Sequence, residues 1–444
     1  MSIRELRQLV KDEIVQRREE GYDVAEVERR FSESEKKNIA ELEGFLKDLE
    51  TCMLRPDFHY EEPSDLNGIK AGRAKEPERM EIDLSDSELY DKICGGWLGR
   101  CAGCLLGKPV EGLRKEQIEE WLRTADAYPL KNYFPPIRRR PEDAPRWLIE
   151  RLSSIERSTK KTGRGVLLGQ IDGMARDDDI DYTIMGLHIL ETYGFNFTTM
   201  NVAESWLSLL PYLRVYTAER AAYRNLVNGI LPPESALYLN PYREWIGAQI
   251  RADMWGYVTP GAPEVGAELA WRDARLSHVK NGIYGEMFIS AMISTAFAAD
   301  NIDRIIEAGL SVIPENSRLA EAVRDVVNWS KEYHAWEDAW VKVMEKYGHY
   351  HSVHTINNAA LVLLGLIYGG GDYEKSITIT IMGGLDTDCN GATAGSILGV
   401  MLGANALPDK WIGPLHDRVE SFVVGYNGSR ISELARRTLI VAKK

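Results

Sequence analysis

Apolar residues in the first fifty positions recur at helical spacing against a background of Glu, Lys and Arg. Leu6, Val10 and Ile14 form one stripe, and Leu42, Phe45, Leu46 and Leu49 another. That period places each set on one face of an amphipathic helix, so two helices are expected, broken near Gly21-Tyr22-Asp23. From residue 56 to 77 the periodicity lapses and Pro, Asp, Asn and Gly accumulate, the signature of an irregular linker. A boundary near residue 84 separates this helical extension and linker, residues 1–84, from a main body at 85–444.

The main body opens with Asp86 and Ser87, which can cap a helix whose body, 93–106, carries Gly95, Gly99, Gly103 and Gly107 at every fourth position. Each glycine in a helix interior costs about 1 kcal/mol relative to alanine. Four on one face therefore imply another backbone packed closely against them. Further helical patterns run over 184–192, 202–209, 265–274, 285–298, 302–310, 317–332, 357–367, 373–382 and 392–402. Alternating strand patterns are scarce, so an all-α fold is expected. Two long connections, 128–162 and 213–261, are the natural places for substrate specificity.

Composition narrows the partners. The 444 residues are 44% hydrophobic and 27% charged, as in an ordinary globular protein. A net charge of −13 repels nucleic-acid backbones and anionic lipids. Arg138-Arg139-Arg140, flanked by prolines, reads as a solvated loop. No stretch approaches the roughly 20 apolar residues of a membrane helix, and residues 1–11 lack a signal-peptide apolar run. A cytoplasmic protein is expected. Five cysteines in so long a chain point to reduced thiols, with Cys94, Cys101 and Cys104 buried and structural, because no second pair at zinc spacing accompanies them.

Two acidic segments carry the chemistry. Arg176-Asp177-Asp178-Asp179-Ile180-Asp181 places four carboxylates within five residues at the start of an apolar helix. A helix cap uses one or two carboxylates, and four repel one another unless cations sit among them. Gly383-Gly384-Leu385-Asp386-Thr387-Asp388-Cys389 presents two more carboxylates from a tight turn. Alone it is equally a turn with a helix cap. Together the segments fit hard cations such as Mg²⁺ or Mn²⁺, which take oxygen ligands from separate elements. Gly107-Lys108-Pro109-Val110-Glu111-Gly112 holds a lone glutamate that by itself reads as an exposed turn residue.

Gly95-Gly96-Trp97-Leu98-Gly99, Gly107 to Glu111, Asp177-Asp178-Asp179 and Gly384-Leu385-Asp386-Thr387-Asp388, in this order, resemble the ADP-ribosylglycohydrolase family from about residue 88 to the end. The resemblance implies an orthogonal helical bundle holding two divalent cations, Mg²⁺ or Mn²⁺. It also implies hydrolysis of a glycosidic bond at the anomeric carbon of an ADP-ribosyl or related ribosyl group, on a small molecule or a protein. Position by position, the metal ligands fall on Asp177, Asp178, Asp179, Asp386, Asp388 and Cys389, and the mobile glutamate on Glu111. The catalytic set implied is Glu111, Asp178 and Asp388, with Asp388 or Glu111 as general base. Three departures stand out: Asp177 and Cys389 replace threonines, and Cys104 replaces an aspartate. Thiolate suits Mg²⁺ poorly.

Other readings coexist. The insert 218–261, with Arg224, Asn225, Tyr242, Arg243, Trp245 and Trp255, can shape a pocket for a nucleoside-type N-ribosyl substrate. Asp177-Asp178-Asp179-Ile180-Asp181 also satisfies the Asp-Asp-x-x-Asp pattern of prenyl and terpenoid synthases, although the Gly383 turn fits those badly. The threonine replacements admit a non-catalytic ADP-ribose-binding protein. His351 and His354 read as pocket-lining or capping residues, and Ser277 to Glu286 as either a cap or a base or phosphate contact. The extension serves equally as a cap over the main body or an oligomerisation element.

Overall fold

In the computed structural model, which describes residues 2–33, 38–137 and 144–444, the chain folds entirely into helices, and the only β-type pairing among these residues is isolated bridges. The Arg138–Arg140 run lies outside the described residues. None of the described helices is long and apolar enough to cross a membrane.

At the centre, helix Asp86–Gly107 packs along helix Thr387–Leu402. Gly95, Gly99 and Gly103 face Gly399, Gly395 and Gly391, and Gly107 faces Thr387. A Cβ on any of these glycines of the first helix would collide with a carbonyl of the second, so the stripe is what lets the two backbones touch. Beside this pair, helix Lys280–Ala296 is buried on every side from Asn281 onward, as expected of a helix in the middle of a large core.

Several helices begin earlier than the apolar pattern indicates: Asp178 rather than 184, Lys280 rather than 285, Thr387 rather than 392. Their first turns carry polar residues pointed at neighbouring elements, which breaks the apolar period without breaking the helix. The cap of the first main-body helix is Ser85, in a reciprocal pair with Glu88, and not Asp86 or Ser87. The 128–162 connection is half helix, Arg146–Thr162, and 213–261 contains helices Thr217–Val227 and Asp253–Tyr257. The linker carries the short helix Leu66–Ala71.

The extension holds three helices where two are expected: Ile3–Glu19, Ala25–Glu33 and Ile39–Glu50. The third of these begins after Asn38, whose side chain caps it together with Glu41. These helices share a small apolar cluster of their own built on Leu9, Val10, Phe31, Leu42 and Leu49. Leu239 of the main body packs against this cluster, and the rest of the contact is built on buried ion pairs and hydrogen bonds. Buried Arg243 donates to Glu13 and Glu20 at 2.8–3.0 Å, and Gln16 donates to Glu244 at 2.7 Å. Arg318 closes the network on Glu244 and Glu62. Charges removed from water this completely persist only when paired, so the network fixes how the extension sits.

Candidate metal centre

The glycine contact sets the late acidic segment against the Gly107–Glu111 turn, because Gly107 ends one helix where Thr387 begins the other. Thr387 Oγ1 donates to the Gly107 carbonyl at 2.8 Å. Helix Asp178–Tyr193 enters beside them, braced by the fully buried Arg100, whose guanidinium donates to the Asp179 carbonyl at 2.8 Å and the Ile250 carbonyl at 2.6 Å. A cavity of about 410 Å³ opens over this junction, lined by Lys108, Glu111, Asp177, Asp178, Asp386 and Asp388 with Cys389. Segments more than two hundred residues apart thus share one wall.

The roles of the four clustered aspartates separate in the fold. Asp181 turns away from the cavity to accept from Arg176, Ser421 and the Phe422 amide, and is structural. Asp177 caps its helix through the Asp179 amide at 3.1 Å and pairs with the Lys108 ammonium. Asp178 stands on the cavity wall, with Arg176 no closer than 3.8 Å. Asp179 lies behind it, where the Cys104 thiol donates at 3.4 Å and Arg100 stands 3.6 Å away.

The late motif is not a helix cap. Asp386 occupies the cap position but its side chain accepts no capping bond, and buried Asp388 Oδ1 has no hydrogen-bond partner among the described residues. The turn before them places Gly384 and, against the usual preference, Leu385 at positive φ. The Leu385 carbonyl is held by the Gly112 amide at 3.0 Å, which ties the Asp386 turn to the Glu111 loop. Arg151, from the helix in the long connection, donates to the Pro109 and Glu111 carbonyls and fixes that loop from the other side. Glu111 itself is exposed at the cavity rim.

Electrostatics shows what such crowding costs. Burial and the neighbouring Asp177 carboxylate push Asp178 up to about 8. Burial and Glu111 push Asp386 up to about 7. Asp388 and Asp179 are driven well above the usual carboxylate range by burial and by the surrounding acids. Burial would raise Asp177 too, but Lys108 outweighs it and holds that carboxyl below its ordinary value. Glu111, although its side chain reaches solvent at the rim, is raised by the partial desolvation of the cavity mouth and by the Asp177 carboxylate. Without cations, these acids relieve repulsion by keeping protons.

Two groups have ligand atoms close enough to share an ion, all within 4.8 Å of one another: Cys104 with Asp177 and Asp179, and Asp386 with Asp388 and Cys389. Oxygen donors of this kind fit hard divalent cations, and Asp179 and Asp388 each have a buried oxygen with no hydrogen-bond partner among the described residues. The two thiols fit less well. Burial and the adjacent carboxylates raise both far above the ordinary thiol range, so they stand there as neutral S–H groups. Cys104, read from the sequence as structural, is thus also in contact with the acidic cluster.

A profile of the ADP-ribosylglycohydrolase family matches residues 85–444. The chain belongs to the ADP-ribosylglycohydrolase family. Membership gives the coarse chemistry, hydrolysis of the glycosidic-bond type, and the all-α class. Among solved structures, one titled "ADP-ribosylglycohydrolase-related protein complex" is similar at 18% identity and a TM-score of 0.46, covering 80% of this chain and 99% of that one. No curated protein matches the chain.

Residues outside the acidic motifs position this glycohydrolase-type site. Asn358 accepts the Asp386 amide at 3.1 Å and the Asn390 side chain at 2.7 Å, so it orients the late motif from helix Thr355–Gly369. The resemblance places it, with His351, His354, Thr355 and Asn357, near that motif as a pocket-lining or capping group. Arg100 carries no signal in the sequence, being one charge inside a glycine-rich helix. His354 caps helix Thr355–Gly369 by accepting from the Ile356 amide, and burial lowers it to about 3, which makes it neutral. His351 stacks on Trp245, ring centres 4.1 Å apart. The Ser277–Glu286 segment lies away from the acidic cavity, with Asn281 bonded to Glu244 and Glu286 to Trp255.

Proposed function

We propose that this protein is a divalent-cation-dependent hydrolase cleaving the glycosidic bond at the anomeric carbon of an ADP-ribosyl or related ribosyl compound. The observation that carries the reading is the convergence of Asp177 and Asp178 with Asp386 and Asp388 on one cavity, with more carboxylates than cationic side chains to balance them. Asp177, Asp178, Asp179, Asp386 and Asp388 would hold two cations, Mg²⁺ or Mn²⁺, with Cys389 at the edge of the set as a weak or water-replaced donor. Bound there, the cations supply charge to grip ribose hydroxyls and acidify water.

The chain's own residues do the rest. Asp388, with a free buried oxygen, and Glu111, on the rim of the same cavity, are the two bases placed to take a proton from an attacking water. Glu111 sits on a loop held by Arg151 and by the Leu385 carbonyl, so its carboxyl is delivered to the mouth while its backbone stays fixed. Lys108, paired with Asp177, keeps that carboxylate ionised and aligned before a cation arrives. The acidic surroundings also favour the positive charge that builds on the sugar as the bond breaks.

The test is incubation of the protein with N- and O-linked ADP-ribosyl compounds, with Mg²⁺ or with a chelator, followed by separation of the products. Release of ADP-ribose that needs the metal supports the proposal; no release from any of them removes it. Turnover of allylic diphosphates instead would restore the synthase reading.

A further inference from the structure

Where the extension, the linker, the insert and helix Lys280–Ala296 meet, the fold leaves a pocket of about 340 Å³. No residue that lines it also lines the acidic cavity. The extension contributes Arg17, Glu20 and Tyr22, the linker Asp65 and the insert Leu237. The first two of these parts lie outside the segment that matches the family.

The charges of this pocket do not balance. Arg17, Arg243, Arg275 and Lys280 line it against Glu20 and Asp65. Arg17 and Arg243 share Glu13, which stands outside the pocket, and Arg243 also donates twice to Glu20 at 2.8–3.0 Å. Asp65 is committed to its own helix, where it accepts from the Gly68 amide at 2.8 Å. Lys280 is left with Glu20 at 3.7 Å. Arg275 stacks on Trp271, its Cζ 4.5 Å from the ring centre, and its side chain makes no ion pair or hydrogen bond among the described residues.

Where these two cations sit is informative. Arg275 follows helix Pro263–Ala274, an end at which a cation is favoured, but Lys280 opens helix Lys280–Ala296, where the helix dipole opposes it. Lys280 also holds a left-handed φ of 46°. Both features disfavour a lysine there, and an arriving anion relieves the first. Beside them His278, held neutral by its burial, meets Ser277 Oγ through Nδ1 at 2.8 Å. Its Nε2 has no hydrogen-bond partner among the described residues. The Tyr22, Val279 and Ile283 side chains make much of the remaining wall apolar.

We propose that this pocket is a binding site, separate from the acidic centre, for a small organic anion, a phosphate or carboxylate on an apolar body. Arg275 and Lys280 take the charged end, and Tyr22, Val279 and Ile283 cover the apolar end. A fork of guanidinium donors beside an ammonium suits either anion. The size falls at the lower end of the range for small-molecule sites, roughly 300–1,000 Å³.

Calorimetric titration of the full chain tests this, with phenyl phosphate and benzoate as probes and benzyl alcohol as the neutral comparison. A chelator is present throughout, so that no cation at the acidic centre recruits the anions. At least one anion should bind at one per chain and at least about tenfold tighter than benzyl alcohol. Arg275→Gln and Lys280→Gln should each weaken that anion roughly tenfold, the worth of one charge-assisted contact. Their thermal melts should stay near the parent's, because neither side chain sits in a close ion pair. Leu237→Asp, at an exposed position on the pocket, sets a like charge there and should also weaken the anion. No saturable binding of either anion overturns the proposal, and so does binding that is unchanged in both Arg275→Gln and Lys280→Gln.

Discussion

At the scale of single residues, the acidic centre is a balance between repulsion and what relieves it. Asp177 is closely paired with Lys108, whereas Asp178 has Arg176 only at 3.8 Å and one buried oxygen of Asp388 has no hydrogen-bond partner among the described residues. Asp178→Asn and Asp388→Asn should each reduce turnover by at least about 1000-fold, since an amide neither attracts a cation nor takes a proton. Circular dichroism and melting should show an intact fold, and near-parental rates in both would remove the proposed centre. Cys389 offers a complementary test. Its thiol is buried and neutral beside Asp386 and Asp388. Cys389→Thr exchanges it for a hard hydroxyl and should tighten Mg²⁺ binding about tenfold by calorimetry. The run of aspartates was legible in the sequence as a group, but not the division of labour within it. Asp181 looked no different from Asp178, and only the approach of Ser421 and Phe422 from the far end of the chain makes it structural.

At the scale of elements, the glycine stripe seats the late acidic segment on the helix whose Arg100 braces the early one. Every fourth residue of helix Asp86–Gly107 near Gly103 lies against the backbone of helix Thr387–Leu402. Gly103→Val would push these helices apart, with a cost of about 3 kcal/mol or more measured by urea unfolding. Because helix Asp86–Gly107 also carries Arg100, which holds the Asp179 carbonyl, a shift of this contact bears on the spacing of the two acidic segments, and Mg²⁺ affinity should fall with stability. A stability loss with unchanged affinity would show that the two acidic segments are positioned independently. The stripe announced a close partner in the sequence, yet the partner's glycines, Gly391, Gly395 and Gly399, were read only as a small-residue helix. Pairing two stripes requires knowing which faces meet, and residue spacing does not contain that.

At the scale of the whole molecule, the metal-free fold carries a pH liability. Asp178 and Asp386, at about 8 and about 7, hold protons in the folded state that the unfolded chain releases near pH 4. Groups raised in this way contribute stability at low pH that is lost as pH rises through their folded values. The chelated protein should therefore melt at a lower temperature at pH 8 than at pH 5.5. Mg²⁺ should raise the midpoint more at pH 8, and its binding should release protons. An equal gain at both values, by differential scanning calorimetry in two buffers, would contradict the crowding of these acids. The extension takes part in this larger picture as well. Its buried pairs, Arg243 with Glu13 and Glu20, fasten it where its first helix lines a second chamber, which shares Thr217 and Trp245 with the acidic cavity.

The sequence by itself determined the helical class, the positions of the two acidic segments and the family, because helical period, glycine spacing and short motifs are local properties of the chain. Tertiary structure alone decided which acids face the cavity, that Arg100 and Asn358 hold them, and that an amino-terminal helix lines the neighbouring chamber. These depend on contacts between residues tens to hundreds of positions apart, chosen by the packing of the whole core.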